Sequence, residues 1–229
     1  MGLVLTYEAI ARRIDHALLD PKLTDYELEE GCKLALKYNV ASVCIKPYAV
    51  SLATRILRGS QVAVGTTIGF PHGGCATAVK VFESQKAMDD GATELDMVIN
   101  IGQARSGHWD AVVGDIAEVT KAAHDRGALV KVIFENCFLN DEQKIRLCQL
   151  SGQIGVDYVK TSTGYGTGGA THDDLILMRR SSPAHVKLKA AGGIRTLDQA
   201  IAVLELGCDR LGASRTAEII KELEARLAT

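Results

Sequence analysis

Thr93-Glu94-Leu95-Asp96-Met97-Val98-Ile99-Asn100 and Leu129-Val130-Lys131-Val132-Ile133-Phe134-Glu135 decide the fold. Both are β-branched, apolar-rich runs of strand length. Strand side chains alternate faces with period two. Glu94 therefore shares a face with Asp96, and Lys131 with Glu135, while the opposite face of each run is apolar. Val186-Lys187-Leu188-Lys189-Ala190 repeats the pattern with Lys187 and Lys189 on one face. A strand covered by helices on both faces should be apolar throughout, which disfavours a doubly wound open sheet. A closed barrel accommodates the pattern, with apolar side chains facing outer helices and charged ones facing the lumen. Buried charges cost several kcal/mol each unless paired, so so many of them point to chemistry and not only to stability.

Working outward, candidate strands begin near Ile14, Ala41, Val62, Thr93, Ala128, Val156, His185 and Cys208, with Val156–Thr161 as the sixth. Helical patterns separate them. Thr24 with Glu27, Asn140 with Gln143, and Thr196 with Gln199 are helix starts of capping-box type. Gly91, Gly127, Gly155 and Gly207 each stand just before a strand, as helix stops do. Eight units in 229 residues give about 28 residues per unit, the size of a compact TIM (β/α)8 barrel. No low-complexity linker divides the chain, so residues 1–229 are expected to form a single barrel domain with a short N-terminal helix, Tyr7 to Arg13, capped by Thr6. Met1-Gly2 with Thr6 also fits the loose myristoylation pattern, but the cap is the better reading of Thr6.

Composition excludes several classes. Lys+Arg is 26 and Asp+Glu 28, a net charge of −2, without the basic excess of a nucleic-acid binder. No run approaches the ~18 apolar residues of a membrane span. The six cysteines, at 32, 44, 75, 137, 148 and 208, form no C-x-x-C pair, which suggests reduced thiols in a cytoplasmic protein. Five read as packing residues; Cys44, inside a strand pattern, could face a site. The six histidines form no zinc-binding motif, and there is no G-x-S-x-G elbow or Walker loop.

Gly164-Tyr165-Gly166-Thr167-Gly168-Gly169 matches G-x-G-x-x-G. A dinucleotide site would need it in the first strand-helix unit, with an acidic residue about twenty positions on. Five units precede it, and Lys187 and Lys189 stand where the acid should be. It reads better as a βα loop at the active end of a barrel. Gly192-Gly193-Ile194 and Gly212-Ala213-Ser214 follow the seventh and eighth strands, where barrels bind phosphate. Lys160 and Lys189 close neighbouring strands, and Asp96 lies on the fourth. A cation beside a cation depresses an amine pKa. A free lysine, near pKa 10.4, is almost fully protonated at neutral pH and cannot attack a carbonyl, so this pairing is how a Schiff-base lysine is prepared. Lys187 is the rival partner, one pleat deeper.

Val159-Lys160-Thr161-Ser162-Thr163-Gly164 resembles the Schiff-base segment of the deoxyribose-phosphate aldolases. Ile14-Asp15-His16 with Leu18-Leu19, Glu94–Val98, Lys131-Val132-Ile133 with Glu135, Lys189–Thr196 and Gly212-Ala213-Ser214 extend the resemblance along almost the whole chain. It implies a lyase of carbohydrate degradation that reversibly cleaves 2-deoxy-D-ribose 5-phosphate to acetaldehyde and D-glyceraldehyde 3-phosphate. Lys160 would form the imine, Lys189 perturb it, and Asp96 move protons through water. Gly164, Gly192, Gly193 and Ser214 would hold phosphate, and Asp15, Lys131 and Glu135 would support the site. No metal or organic cofactor is implied, because the imine is the electron sink. Partners would be phosphorylated sugars and aldehydes, with no nucleic acid and no membrane, in a homo-oligomer, dimer or tetramer.

The chain departs from the family pattern at Ala17 and Asp20, where Thr and Lys are frequent, and at Arg215, where some members carry a second Ser. Arg215 could add charge to the phosphate pocket or point into solvent. Some members also carry a longer tail whose tyrosine reaches the site. No such residue follows the last helix here, so proton transfer is expected to rest on the lysine–aspartate set. Two other functions share the features: a phosphosugar isomerase or synthase using Asp96 and Glu135 as acid and base, and a non-catalytic phosphometabolite-binding barrel.

Overall fold

Eight short parallel strands in the computed structural model, which describes residues 4–228, close on one another in sequence order to form a barrel. Met1 and Gly2 of the myristoylation pattern lie outside the described residues. The strands are β1 (Ile14–Leu18), β2 (Ser42–Ile45), β3 (Ala63–Ile68), β4 (Glu94–Val98), β5 (Leu129–Ile133), β6 (Tyr158–Lys160), β7 (Lys187–Ala191) and β8 (Arg210–Ala213). The helices, in chain order, are α1 (Tyr7–Ala11), α2 (Asp25–Tyr38), α3 (Val50–Leu57), α4 (Thr77–Asp89), α5 (Ile101–Arg105), α6 (Trp109–His124), α7 (Asp141–Ile154), α8 (His172–Ser181), α9 (Leu197–Glu205) and α10 (Thr216–Leu227). This is the TIM architecture expected from the alternation of strand and helix patterns.

Local signals set the element ends. The capping boxes at Thr24, Asn140 and Thr196 all form, each satisfying two backbone donors that a helix start leaves free. Gly155 ends α7 at φ 85°, a left-handed conformation that costs other residues about 1 kcal/mol or more. Gly91, Gly127 and Gly207 take the same left-handed turn after their helices. Thr6 caps α1 by accepting from the Ala9 amide at 3.1 Å, but the helix stops at Ala11, two residues short of the expected Arg13. β6 is also shorter than its apolar run. Asp157 precedes it, facing outward, where its carboxylate accepts from the Val130 amide at 2.8 Å.

Two layers of side chains follow from the period-two alternation. Leu95, Met97, Val130, Val132, Val159 and Leu188 point outward and are fully buried under the helices. Asp15, Glu94, Asp96, Lys131, Lys160 and Lys189 point into the lumen and are at most 4% exposed there. The register sets Asp96 beside Lys131 and Lys160 beside Lys189. Lys187 shares their face but is exposed at the other end of the barrel, where its ammonium lies 5.5 Å from the Tyr158 ring centre. That removes it as the partner of Lys160.

The cysteines divide differently from the expectation of five packing residues. Cys32, Cys148 and Cys208 are buried, whereas Cys75, in the loop before α4, and Cys137, in the 3-10 turn Asn136–Phe138, are exposed. Cys44 does face the lumen, with Sγ 3.9 Å from Asp96 Oδ2.

Candidate active site

A cleft of about 730 Å³ opens at the C-terminal mouth of the barrel. Its floor includes Lys160, Lys189, Asp15 and Cys44, and its rim includes Gly164, Gly192, Gly193 and Ser214. Six of the expected site residues therefore meet in one cavity, with Asp15 as a seventh. Asp96 and Lys131 lie beneath it, fully buried. Glu135 does not line it.

Asp96 is the hub of the floor. Its Oδ2 accepts from Lys160 Nζ and from Lys189 Nζ, each at 2.7 Å, and its Oδ1 accepts from Lys131 Nζ at 2.9 Å. Lys189 also pairs with Asp15 at 2.5 Å. Lys131 also pairs with Glu94 at 2.6 Å and with Asp15 at 3.3 Å. The three lysines thus differ in how many carboxylates hold them: three for Lys131, two for Lys189 and one for Lys160.

That difference separates the three amines in how readily each gives up its proton. Burial disfavours the charged form of all three. For Lys160 burial dominates, the single carboxylate of Asp96 does not offset it, and the Lys189 cation adds to it, so its pKa falls below the usual lysine range. Lys189 feels the same burial, but Asp15 and Asp96 outweigh it and hold its pKa up. Lys131 is held well above the lysine range by Asp15, Asp96 and Glu94 against burial. Burial also opposes ionisation of Asp96, yet the three ammonium groups keep it well below the usual carboxylate range. The neighbouring cation invoked from sequence does act on Lys160, but desolvation is the larger cause. Cys44, pushed up to about 11 by burial and then by Asp96, remains a thiol.

Glu135 supports the site from outside the cleft. It lies beyond the end of β5 at φ 57°, and its carboxylate accepts from the Thr163 amide at 3.1 Å and from the Thr163 hydroxyl. Thr163 Oγ1 in turn accepts from the Tyr165 amide at 2.9 Å, and the Tyr165 hydroxyl donates to Leu19 O at 2.8 Å. Glu135 therefore fixes the loop after β6 across the mouth. The G-x-G-x-x-G segment is this loop. It ends before the Thr171 cap of α8, and only its Gly164-Tyr165 part lines the cleft.

The rim of the cleft near Gly192 and Gly193 is built from backbone. A Cβ on Gly169 would stand 2.5 Å from Gly192 O, so the loops after β6 and β7 can pack this closely only through glycines. Ser214 is exposed at the mouth but sits one residue before Arg215, the N-cap of α10, and does not itself cap the helix. Thr216 begins the helix instead, its hydroxyl 2.8 Å from His16 Nδ1. Burial lowers the His16 pKa to about 4 and keeps the ring neutral, so it ties β1 to the turn after β8 without adding charge. Arg215 does not line the cleft; its guanidinium lies 3.8 Å from Glu218. The cleft-lining arginine is Arg195, just past the Gly192-Gly193 loop.

Sequence reasoning missed Arg195, Thr163, Tyr165 and Arg210. For the first three the signal was position in a βα loop beside a named glycine. Arg210 shares a face with Gly212 and reaches Asp15 at 2.5 Å and Glu94 at 3.2 Å.

Residues 9–214 match the family model described as DeoC/LacD family aldolase. The chain belongs to that aldolase family. A deoxyribose-phosphate aldolase of Rhodopirellula baltica is 53% identical over 221 residues, 96% of this chain and 92% of that protein. One of Thermococcus gammatolerans is 49% identical over 214 residues, 93% of this chain and 95% of the relative. Among solved structures, the tetrameric deoxyribose phosphate aldolase of Aeropyrum pernix superimposes with a TM-score of 0.91 at 29% identity, covering 98% of this chain and 94% of that one. The aldolase family's chemistry needs a carbon nucleophile activated beside a carbonyl, and the lumen described above supplies an amine suited to that activation.

Proposed function

We propose that this aldolase cleaves 2-deoxy-D-ribose 5-phosphate reversibly to acetaldehyde and D-glyceraldehyde 3-phosphate through a Schiff base on Lys160. The observation that carries the reading is the single-carboxylate environment of Lys160 on the floor of a cleft with glycine loops at its rim. In the cleavage direction the neutral amine attacks C1 of the open-chain sugar. Lys189 and Asp96 move protons while the carbinolamine loses water. The C3 hydroxyl then loses its proton, the C2–C3 electron pair flows into the protonated imine, and glyceraldehyde 3-phosphate departs. The enamine left on Lys160 is protonated at carbon and hydrolysed, which releases acetaldehyde and the free amine. Asp15 and Lys131 support this set by holding Lys189 and Asp96, and Gly164, Gly192, Gly193 and Ser214 receive the phosphate.

The isomerase reading is disfavoured because Glu135 is buried and engaged with Thr163. Borohydride reduction in the presence of acetaldehyde should add one ethyl group to the intact mass and place it on the peptide holding Lys160. An adduct on Lys189 would overturn the assignment, and no adduct would favour the isomerase or the binding barrel.

The phosphate assignment has its own expectation. Ser214→Asp places a carboxylate at the mouth of the anion site. Charge-assisted hydrogen bonds contribute about 1.5–3 kcal/mol, so kcat/KM for the phosphate ester should fall roughly ten- to a hundredfold or more. Unphosphorylated deoxyribose should be used nearly as before. Equal losses on both substrates would remove Ser214 from phosphate recognition. We further propose a cytoplasmic homo-oligomer: the tetrameric relative supports assembly, and all six cysteines are unpaired.

A further inference from the structure

The reactive amine sits at one end of a buried ion network whose charges can be counted. Among the described residues, three carboxylates occupy the lumen: Asp15 from β1, and Glu94 and Asp96 from β4. Four basic groups meet them: Lys131 from β5, Lys160 from β6, Lys189 from β7 and Arg210 from β8. With every group ionised the lumen would carry one uncompensated positive charge. Cys44 from β2 is a thiol, and Lys187 is exposed outside the network. Neutrality is reached when one lysine is unprotonated, and the lysine held by one carboxylate is Lys160.

Arg210 is the cation farthest along this chain of contacts from Lys160, and it cannot give up its own proton at any working pH. It binds Asp15 Oδ1 at 2.5 Å and Glu94 Oε1 at 3.2 Å. Asp15 and Glu94 hold Lys189 and Lys131, and both of those lysines hold Asp96. Two routes thus run from Arg210 to the one carboxylate that touches Lys160. Without Arg210, Asp15 and Glu94 would draw the two lysines more strongly to themselves. Asp96 would be less neutralised and would favour the ammonium form of Lys160.

We infer that Arg210 is a positioning residue that keeps Lys160 unprotonated by saturating Asp15 and Glu94 at the far end of the lumen. This rests on the reading of Lys160 as the imine-forming residue. The test is the pH dependence of acetaldehyde trapping at Lys160, quantified on its peptide. Arg210→Met should slow trapping at neutral pH roughly tenfold or more, with recovery at alkaline pH, because without Arg210 the network is neutral only with Lys160 protonated, and a tenfold effect corresponds to a rise of about one pKa unit. Arg210→Lys should stay close to the parent profile. Glu94→Gln removes a carboxylate and should move the profile the opposite way, to lower pH. The double variant Arg210→Met/Glu94→Gln has balanced charges again and should return to the parent midpoint. A loss of packing alone would predict neither the opposite shift nor the restoration. If Arg210→Met does not fold, the Glu94→Gln shift and the double variant still decide the matter. Profiles that superimpose for the parent, Glu94→Gln and the double variant would overturn the inference. Absence of any Lys160 adduct in the parent protein would instead overturn the proposed function.

Discussion

Replacing Lys160 with methionine should lower kcat by at least about 10⁴-fold, and by on the order of 10⁶-fold if covalent catalysis supplies as much as it does in other enzymes that lose their nucleophile. The folded protein should be no less stable. Lys160 has a folded-state pKa below its unfolded one, because burial outweighs its contact with Asp96. A depressed lysine contributes stability only at pH above its unfolded value near 10.4, and at neutral pH it costs some. Methionine has similar length, fills the same lumen and carries no charge to desolvate. The remaining lumen keeps three carboxylates against Lys131, Lys189 and Arg210, so no ion is orphaned. Thermal unfolding of the variant should therefore occur at the parent temperature or slightly above it, a site where activity is held at the expense of stability. A variant retaining more than about 1% of parent activity would eliminate Lys160 as nucleophile. A clear fall in unfolding temperature would show instead that its contact with Asp96 is a net structural tie.

Face parity made much of this site legible. Glu94, Asp96, Lys131 and Lys189 each interrupt an apolar run at period two, and a barrel has only one place for a charged face. What parity cannot convey is height. Lys187 and Lys189 share a face, yet one is solvated at the far mouth and the other is buried beside Lys160. Height along the axis depends on strand tilt and stagger, which arise from closing the barrel and leave no mark in a single strand. The same gap hid Arg210, whose charge at the start of a four-residue strand reads as an ordinary strand-end residue. Glu135 reads as the end of β5 because its parity continues; the chain in fact leaves the strand after Ile133 and turns left-handed at Glu135. Arg215 adjoins Ser214 in sequence, yet it caps α10, lies 3.8 Å from Glu218 and does not line the cleft. The glycine loops and the capping boxes were legible because each acts over three or four residues, within reach of a local reading.

Asp96→Asn should show that the hub carboxylate has two separable duties. As a proton carrier its loss should reduce kcat by roughly 10²–10⁴-fold. As a buried counter-ion its loss leaves Lys131, Lys189 and Arg210 facing only Asp15 and Glu94, and removing one partner from such a network costs about 3–5 kcal/mol. Three ammonium contacts on one carboxylate argue for a measurable loss of stability. The sign with pH follows from the depressed pKa of Asp96. Its contribution is fully present above the unfolded aspartate value near 3.9 and is lost as pH falls through the lower folded value. Urea unfolding should therefore separate parent and variant by the full amount at neutral pH, and the gap should close progressively below about pH 4. The activity profile should move differently. With Asp96 neutral, Lys160 loses its only favourable ionic partner, so its amine stays free to a lower pH and the acid limb should shift downward even as the maximal rate falls. A variant with parent stability would mean that the lysines find other partners, and an acid limb that does not move would mean that Asp96 does not set the charge of Lys160. A rate within a few-fold of the parent would leave Asp96 a structural ion and pass the proton transfers to Lys189.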